Sequence, residues 1–531
     1  MTEAAMIPKV LGADVELGNF VVGGADQGSG AEASRDLLAA FVAVTGAVGR
    51  FDDEPSTANG GNAQDWSRFF LPSTGGGAYI DLRHLELTLG EQPSARAFVA
   101  AWHGMLLLAQ QALHHANQKA GGRRYCALVN NSDGQGNSYG GHLNLLVTRR
   151  AWTDVLERKP HLLAMLASYQ VASMVVTGQG KVGTPEEGRP GRFELSQRAG
   201  FTQCLVGPQT TFRRPVVNSR FESHSTVDTA RLHVICYDTG LTPVGTLLKA
   251  GGLQLVMAAV EAGEAPRDLA LEDPVATLHA WSADPTLRTR APLVDGRSVT
   301  VVELLAMFME RLGGFAARAE REGVVRDGER IASTWVSTLE QLARGDWPAV
   351  ARRLDWALKL GAIERAMAQA PGLGWTSAAV KHLDHLYASL DPNEGLYWAM
   401  QRGGAVEAVV SPAEIERAAA EPPPDTRAWG RAMMLRRAPP WSIDEVDWDR
   451  VRFWAAGQEG RFTRWQVDLP SPLAATEGEW RGAFERETGF EELLRSLGGR
   501  PVAPPSRDGW GQGSQWQAGW SSTEEGGYRH G

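Results

Sequence analysis

Residues 130–144 read NNSDGQGNSYGGHLN, and the purpose of this stretch decides how the chain must fold. Four glycines, an aspartate and a histidine stand between two short apolar runs, Cys126–Val129 and Leu145–Val147. A β-hairpin needs only two residues of that kind at its turn. So much backbone freedom between two strands, with so many small polar groups, predicts a binding loop.

Working outward, other strand-like segments carry charge that a buried strand would avoid. ADVEL (13–17) puts Asp14 and Glu16 on one face, because side chains alternate along a strand. A surface strand with one wet face would show the same pair, so the pair alone defines no site. YIDLRHLEL (79–87) repeats the oddity. Read as one strand, it places Tyr79, Asp81 and Arg83 on one face and His84 and Glu86 on the other, unless a bulge intervenes. SRFESHSTVDTARLHV (219–234) adds Arg220, Glu222, His224, Arg231 and His233.

Carboxylates gathered on neighbouring strands repel one another unless a divalent cation offsets their charge, and hard oxygen ligands suit Mg²⁺. Arginines supply bidentate contacts to phosphate oxygens. A glycine-rich loop can bring backbone N–H groups close to an anion. These are the ingredients of a nucleotide–metal site, provided the segments meet. Taken singly, His142 is a turn residue, His233 a core histidine, and Trp448, one of eighteen tryptophans, a packing residue.

Bulk properties narrow the class. The 531 residues exceed a single ordinary core, and 43% hydrophobic with 22% charged residues is a globular composition. A net charge of −9 with no Lys/Arg stripe argues against nucleic acid as a partner. The three cysteines, Cys126, Cys204 and Cys236, are sparse and unpaired in spacing, as in a reducing compartment. With no signal peptide and no membrane-length apolar run, the expectation is a cytoplasmic protein that neither enters nor spans a membrane. There is no P-loop: in TGQGKVG (177–183) no Ser or Thr follows Lys181. HExxH, GxSxG and metal-spaced cysteine pairs are absent too.

Helical spacing is read over 32–48, 95–119 and 151–174, with a mainly helical region from about 243 to 420. The expected division is a catalytic domain over 1–420 with a flexible loop at 51–66, a small domain over 421–498, and a disordered tail over 499–531.

The ordered set LGADVELG (11–18), YIDLRHLEL, the opening stretch, VVTGQGKVG (175–183), FELSQR (193–198), TTFRRPVVNSR (210–220), ARLHV (230–234), LDWALKL (354–360) and PPPDTRAW (422–429) resembles the Pup ligase/depupylase family over about residues 9–455. The resemblance implies an α+β fold. Its large domain is glutamine synthetase-like, with a curved antiparallel β-sheet cradle flanked by helices, and a small C-terminal α/β domain follows. It implies ATP (or ADP) and Mg²⁺ as cofactors. Pup or a Pup-like small protein modifier, with its conjugates, is the implied partner of a monomeric enzyme. By the same resemblance Asp81 is the catalytic aspartate. Asp14, Glu16, Tyr79, Glu86, His142 and His233 line or ligate Mg²⁺. Arg198, Arg220 and Arg231 hold nucleotide phosphates or the substrate's terminal glutamate or glutamine, and Trp448 lies beside the nucleotide.

VVTGQGKVG, the SADPTLR–LVDGR segment (282–297) and NEGLYWAMQRGG (393–404) look more like the depupylase branch, whereas GNSYG (136–140) leans towards the ligases. The implied activity is hydrolysis of the isopeptide between modifier and lysine, or deamidation of the modifier's C-terminal glutamine. The alternatives are ligation through a γ-glutamyl phosphate and a catalytically weak binding homologue. Departures from the family pattern mark a divergent member, among them Asp14 in place of Glu, Gly77 in place of Arg, Leu143 in place of Glu, and Phe221 in place of an acidic residue.

Overall fold

Alternation along the first strand sets up both faces of the main sheet. In β1 (Leu11–Glu16) the apolar Leu11, Ala13 and Val15 are buried on one side, while Gly12, Asp14 and Glu16 project from the other. This computed structural model describes residues 6–24, 26–49, 67–221, 224, 226–456, 461–486 and 488–503. The loop expected at 51–66, Glu222, and residues 504–531 of the expected tail lie outside them.

β2 (Gly18–Val21) leaves the main sheet to pair with β7 (Tyr125–Leu128). The main sheet has seven antiparallel strands. Its order is Thr229–Val234, β8 (Gly141–Thr148), β1, β6 (His84–Thr88), β5 (Gly77–Asp81), β4 (Phe69–Phe70) and β3 (Val48–Gly49). Registers align the polar residues: Asp14 with His142 and Thr88, Glu16 with Glu86, Glu86 with Tyr79, and His233 with Asn144. Paired residues project to the same side of a sheet. These side chains therefore share one concave face, while Leu85, Leu87, Leu143, Leu145 and Val234 pack into the core behind it.

The reading of YIDLRHLEL as one continuous strand is corrected. It is a hairpin with a two-residue turn, Leu82–Arg83, in which Asp81 pairs with His84. Tyr79, Asp81, His84 and Glu86 thus share the concave face, and Arg83 goes to the turn. Leu82 takes the left-handed conformation (φ 53°) that glycine or asparagine ordinarily supplies in such turns. The stretch from Leu11 to Val21 is likewise divided, β1 and β2 belonging to separate sheets.

Helices close the apolar side. α1 (Asp26–Thr45) and α2 (Ala95–Lys119) pack on each other, and the helix Pro243–Ala262 packs against α2 and β8. The helix read at 95–119 has those same limits; the Ser94 side chain accepts from the Ala97 N–H (3.1 Å) and caps it. Its Phe98, Trp102, Leu106 and Leu113 recur at helical spacing and are buried, each worth roughly 2–3 kcal/mol relative to exposure. Pro243–Ala262 is long and apolar enough to cross a membrane, but 94% of its most apolar window is buried inside the protein. Its composition is that of a central core helix.

A second core gathers Met434, Phe453, Trp465, Val467, Leu493 and Leu494 around a four-stranded sheet, and takes Phe70 from β4. The segment read as tail from 499 begins within this sheet: Arg500–Pro501 pairs with Gln466 and Trp465. That pairing covers an otherwise open edge.

Candidate active site

The concave face floors a cavity of about 1520 Å³, and every residue to which the resemblance gave a role lines it: Asp14, Glu16, Tyr79, Asp81, Glu86, His142, Arg198, Arg220, Arg231, His233 and Trp448. At its centre lie two overlapping groups whose donor atoms fall within 4.8 Å of one another. One is Glu16, Asp81 and Glu86; the other is Asp14, Glu86 and His142. Glu86, shared by both, accepts from the Tyr79 hydroxyl (2.6 Å) through Oε1, while its Oε2 is buried without a hydrogen-bond partner. Burial, and next the charge of Glu16, push the Glu86 carboxyl well above the usual range. Burial, and next Asp81, raise Glu16 to about 7, against a backbone hydrogen bond from Gly140 that favours its charged form. Crowded buried carboxylates with an unused oxygen are the donor set of a hard divalent cation, so Mg²⁺ fits these residues.

The histidines complete that set in the right protonation state. Burial, reinforced by Arg198 and Arg231, holds His142 well below its ordinary value, and burial with Arg231 does the same for His233. Both rings are therefore neutral near pH 7 and can offer a lone pair. They meet edge to face with centroids 4.8 Å apart. His233 lies outside both carboxylate groups. It is tied to Asn144, whose Oδ1 is 2.7 Å from His233 Nδ1 and whose Nδ2 donates to Asp14 Oδ2 (3.0 Å). One amide thus orients a carboxylate and an imidazole together.

The opening stretch forms one wall. Asp133 accepts from the Gln135 and Asn137 N–H groups, and Asn131 ties the loop to Thr239 (2.6 Å) and Gln197 (2.6 Å). At Gly140 a Cβ would stand 2.5 Å from Glu16 Oε1 and 2.7 Å from His142 Nε2, so only glycine lets the loop pass that close. Behind it, the Asp238 carboxylate accepts from the backbone N–H groups of Gln179, Gln197 and Arg198, which places Arg198. The Arg198 guanidinium donates to the carbonyls of Ile235 (2.9 Å) and Tyr139.

The cup has two cationic ends. Near Glu16, Arg198 is joined by Arg214, which donates to the Ser138 carbonyl (2.5 Å) and which burial, then Arg198, lower to about 10. Towards Asp14 stand Arg231, 3.9 Å from its carboxylate, and Arg220. Beyond them a slot of about 90 Å³ is lined by Gly12, Leu146, Trp448 and Pro472 and shares Asp14, Arg231 and Trp448 with the main cavity. Trp448 is braced edge to face by Phe70 (5.1 Å) and from one side by Arg431 (4.9 Å).

Sequence reasoning missed Asn144, Arg214 and Arg68. Asn144 closes the opening stretch at the spacing that shares a face with His142, which was the available signal. No local pattern distinguishes Arg214 or Arg68. His84, which lines the same cavity, bonds the Leu17 carbonyl through Nδ1 (2.8 Å) and stacks on Tyr139 (4.3 Å).

A concave antiparallel sheet flanked by helices, with buried carboxylates between arginine clusters on its open face, is an α+β fold. The Pup-ligase protein family profile matches residues 9–452, and the chain belongs to that family. It is 33% identical to a depupylase of Acidothermus cellulolyticus over 436 residues, 81% of this chain and 83% of that protein. It is 34% identical to a Pup–protein ligase of Kribbella flavida over 397 residues, 73% and 84% of the two chains. The structure of the Pup ligase PafA in complex with ADP superposes with a TM-score of 0.68 at 23% identity, covering 81% of this chain and 90% of that one.

Proposed function

We propose that this chain is an ATP- and Mg²⁺-dependent amide hydrolase of the Pup system. It cleaves the isopeptide between Pup, or a Pup-like modifier, and a substrate lysine, or deamidates the modifier's C-terminal glutamine. We place it in the cytoplasm as a monomer. The observation that carries this reading is the position of Asp81, at a hairpin tip beside Glu16 and Glu86 and inside the cavity that also holds the arginines and Trp448. The depupylase relative supports the hydrolytic sense.

Asp14, Glu16, Glu86 and His142 would hold the metal, with Tyr79 and His233 fixing the ligand groups. A divalent cation held by these residues would supply Lewis-acid polarisation of the substrate's amide carbonyl, a contribution of several kcal/mol. Asp81 acts on the amide carbon, as a base towards water or directly as nucleophile. Arg231 and Arg220 would hold nucleotide phosphates, and Trp448, on the adjoining slot, would lie beside the base. Arg198 and Arg214, at the other end, hold the anionic terminus of the modifier.

Asp81→Asn tests the mechanism on a Pup-linked substrate: loss of about 10²-fold or more is expected, and full retained cleavage would remove it. The similarity to a Pup–protein ligase supports a second reading, ligation through a γ-glutamyl phosphate using the same residues. Nucleotide turnover with glutamate-ended against glutamine-ended Pup separates the two. Tight nucleotide binding with no turnover on either would leave a binding homologue.

A further inference from the structure

We propose that Arg68 is a ligand of the nucleotide phosphates, delivered from the strand next to a stretch of cup floor that has no side chain of its own. The inference rests on the nucleotide reading above and adds a residue to it. Gly77 shares the strand face of Tyr79 and Asp81 on β5 and carries no side chain; a Cβ there would stand 2.7 Å from the Phe69 carbonyl and 3.2 Å from Thr88 Oγ1. Arg68 immediately precedes β4, whose Phe69 pairs with Ala78, so Arg68 falls opposite Tyr79 and lines the cavity.

Three observations indicate that its guanidinium is held ready for an anion rather than used up in the fold. Its Nε is buried with no hydrogen-bond partner. Its ion pair with Asp447 is long, 3.6 Å, and Asp447 is also served by Arg450 (3.2 Å), so the fold does not depend on Arg68 to neutralise that carboxylate. The group lies over the Tyr79 ring (5.1 Å), whose hydroxyl grips Glu86. Arg68 thus stands between the metal-binding carboxylates and Trp448, where a phosphate chain joining metal to base must run. A planar guanidinium with a spare N–H suits bidentate phosphate contact.

Calorimetric titration of the full chain with Mg-ADP and with adenosine tests this. Wild-type protein must bind Mg-ADP; if it does not, the nucleotide reading fails irrespective of Arg68. Given that binding, Arg68→Gln is expected to weaken Mg-ADP at least tenfold and leave adenosine within twofold. Arg68→Lys, which keeps the charge but not the fork, should fall between, and it carries the test if the glutamine variant does not fold. Mg-ADP affinity within twofold of wild type, or equal losses for ADP and adenosine, would overturn the proposal, the latter by making Arg68 purely structural.

Discussion

Glu86 shows how one residue can be costly to the fold and necessary to the site. Its carboxylate sits among Glu16, Asp81 and Asp14, buried, with one oxygen held by Tyr79 and the other unpartnered. Glu86→Gln keeps an oxygen for Tyr79 and removes the charge. The metal-free variant is expected to be more stable than wild type by about 1–2 kcal/mol, because like charges a few ångströms apart no longer compete in a poorly solvated place. The same change removes the shared ligand of both groups, so the stabilisation that Mg²⁺ confers on wild type should vanish. Thermal unfolding with and without Mg²⁺ checks both halves, and a variant still stabilised by Mg²⁺ would contradict the assignment of Glu86.

The β5–β6 hairpin makes the corresponding point for an element. Leu82 holds φ 53° and is 69% exposed, so its side chain contributes little packing to offset the strain of a left-handed residue, about 1–2 kcal/mol. Leu82→Gly is expected to leave stability unchanged or raise it by up to about 1 kcal/mol, and Leu82→Val to lower it by about 1–2 kcal/mol. Equilibrium denaturation distinguishes them. Since Asp81 is the last residue of β5, cleavage activity should fall with the valine variant more than stability alone explains. This turn was not legible in the sequence because it contains none of the residues that announce one. What was legible followed from period two: Asp14 with Glu16, Tyr79 with Asp81, and Arg231 with His233 could be placed on shared faces within each strand. Which strands became neighbours, and hence that Glu16 meets Glu86 and His142 meets Asp14, depends on sheet order, which no local pattern carries. The resemblance implied a single antiparallel cradle without giving that order, which the registers provide. Arg68 and Arg214 escaped both routes, since an arginine's reach makes its strand position a poor guide to where its guanidinium lands.

At the scale of the molecule, the two cores are clamped together by Glu91. It lies just beyond β6 and receives Arg427 (2.6 Å) and Arg431 (2.5 Å) from the helix Arg427–Arg437, whose guanidiniums are almost fully buried. Although burial alone would raise the Glu91 carboxyl, Arg431 and then Arg427 outweigh it and hold it at about 2 against an ordinary 4.5. Burial also draws Arg431 down, which does not discharge a guanidinium. A depressed carboxyl stabilises the fold above its unfolded value and loses that contribution as pH falls towards the folded one. The clamp should therefore be fully present above about pH 4.5 and fade towards pH 2, a swing of about 3 kcal/mol. Glu91→Gln leaves two buried cations without their carboxylate, so it should cost about 3–5 kcal/mol at neutral pH. Its deficit against wild type should be constant above pH 5 and narrow as pH falls from 4.5 towards 2, as the wild-type carboxyl takes its proton first in the unfolded and then in the folded chain. Arg431 additionally donates to the Trp448 carbonyl (2.9 Å) and braces its ring, so loosening the clamp should release the aromatic wall of the slot. The variant is accordingly expected to bind nucleotide several-fold more weakly while binding Mg²⁺ alone as wild type does, because the carboxylate groups stand on the sheet and not on the clamp. A pH-independent stability deficit, or equal losses of Mg²⁺ and nucleotide affinity, would show that Glu91 does not couple the second core to the cup in this way.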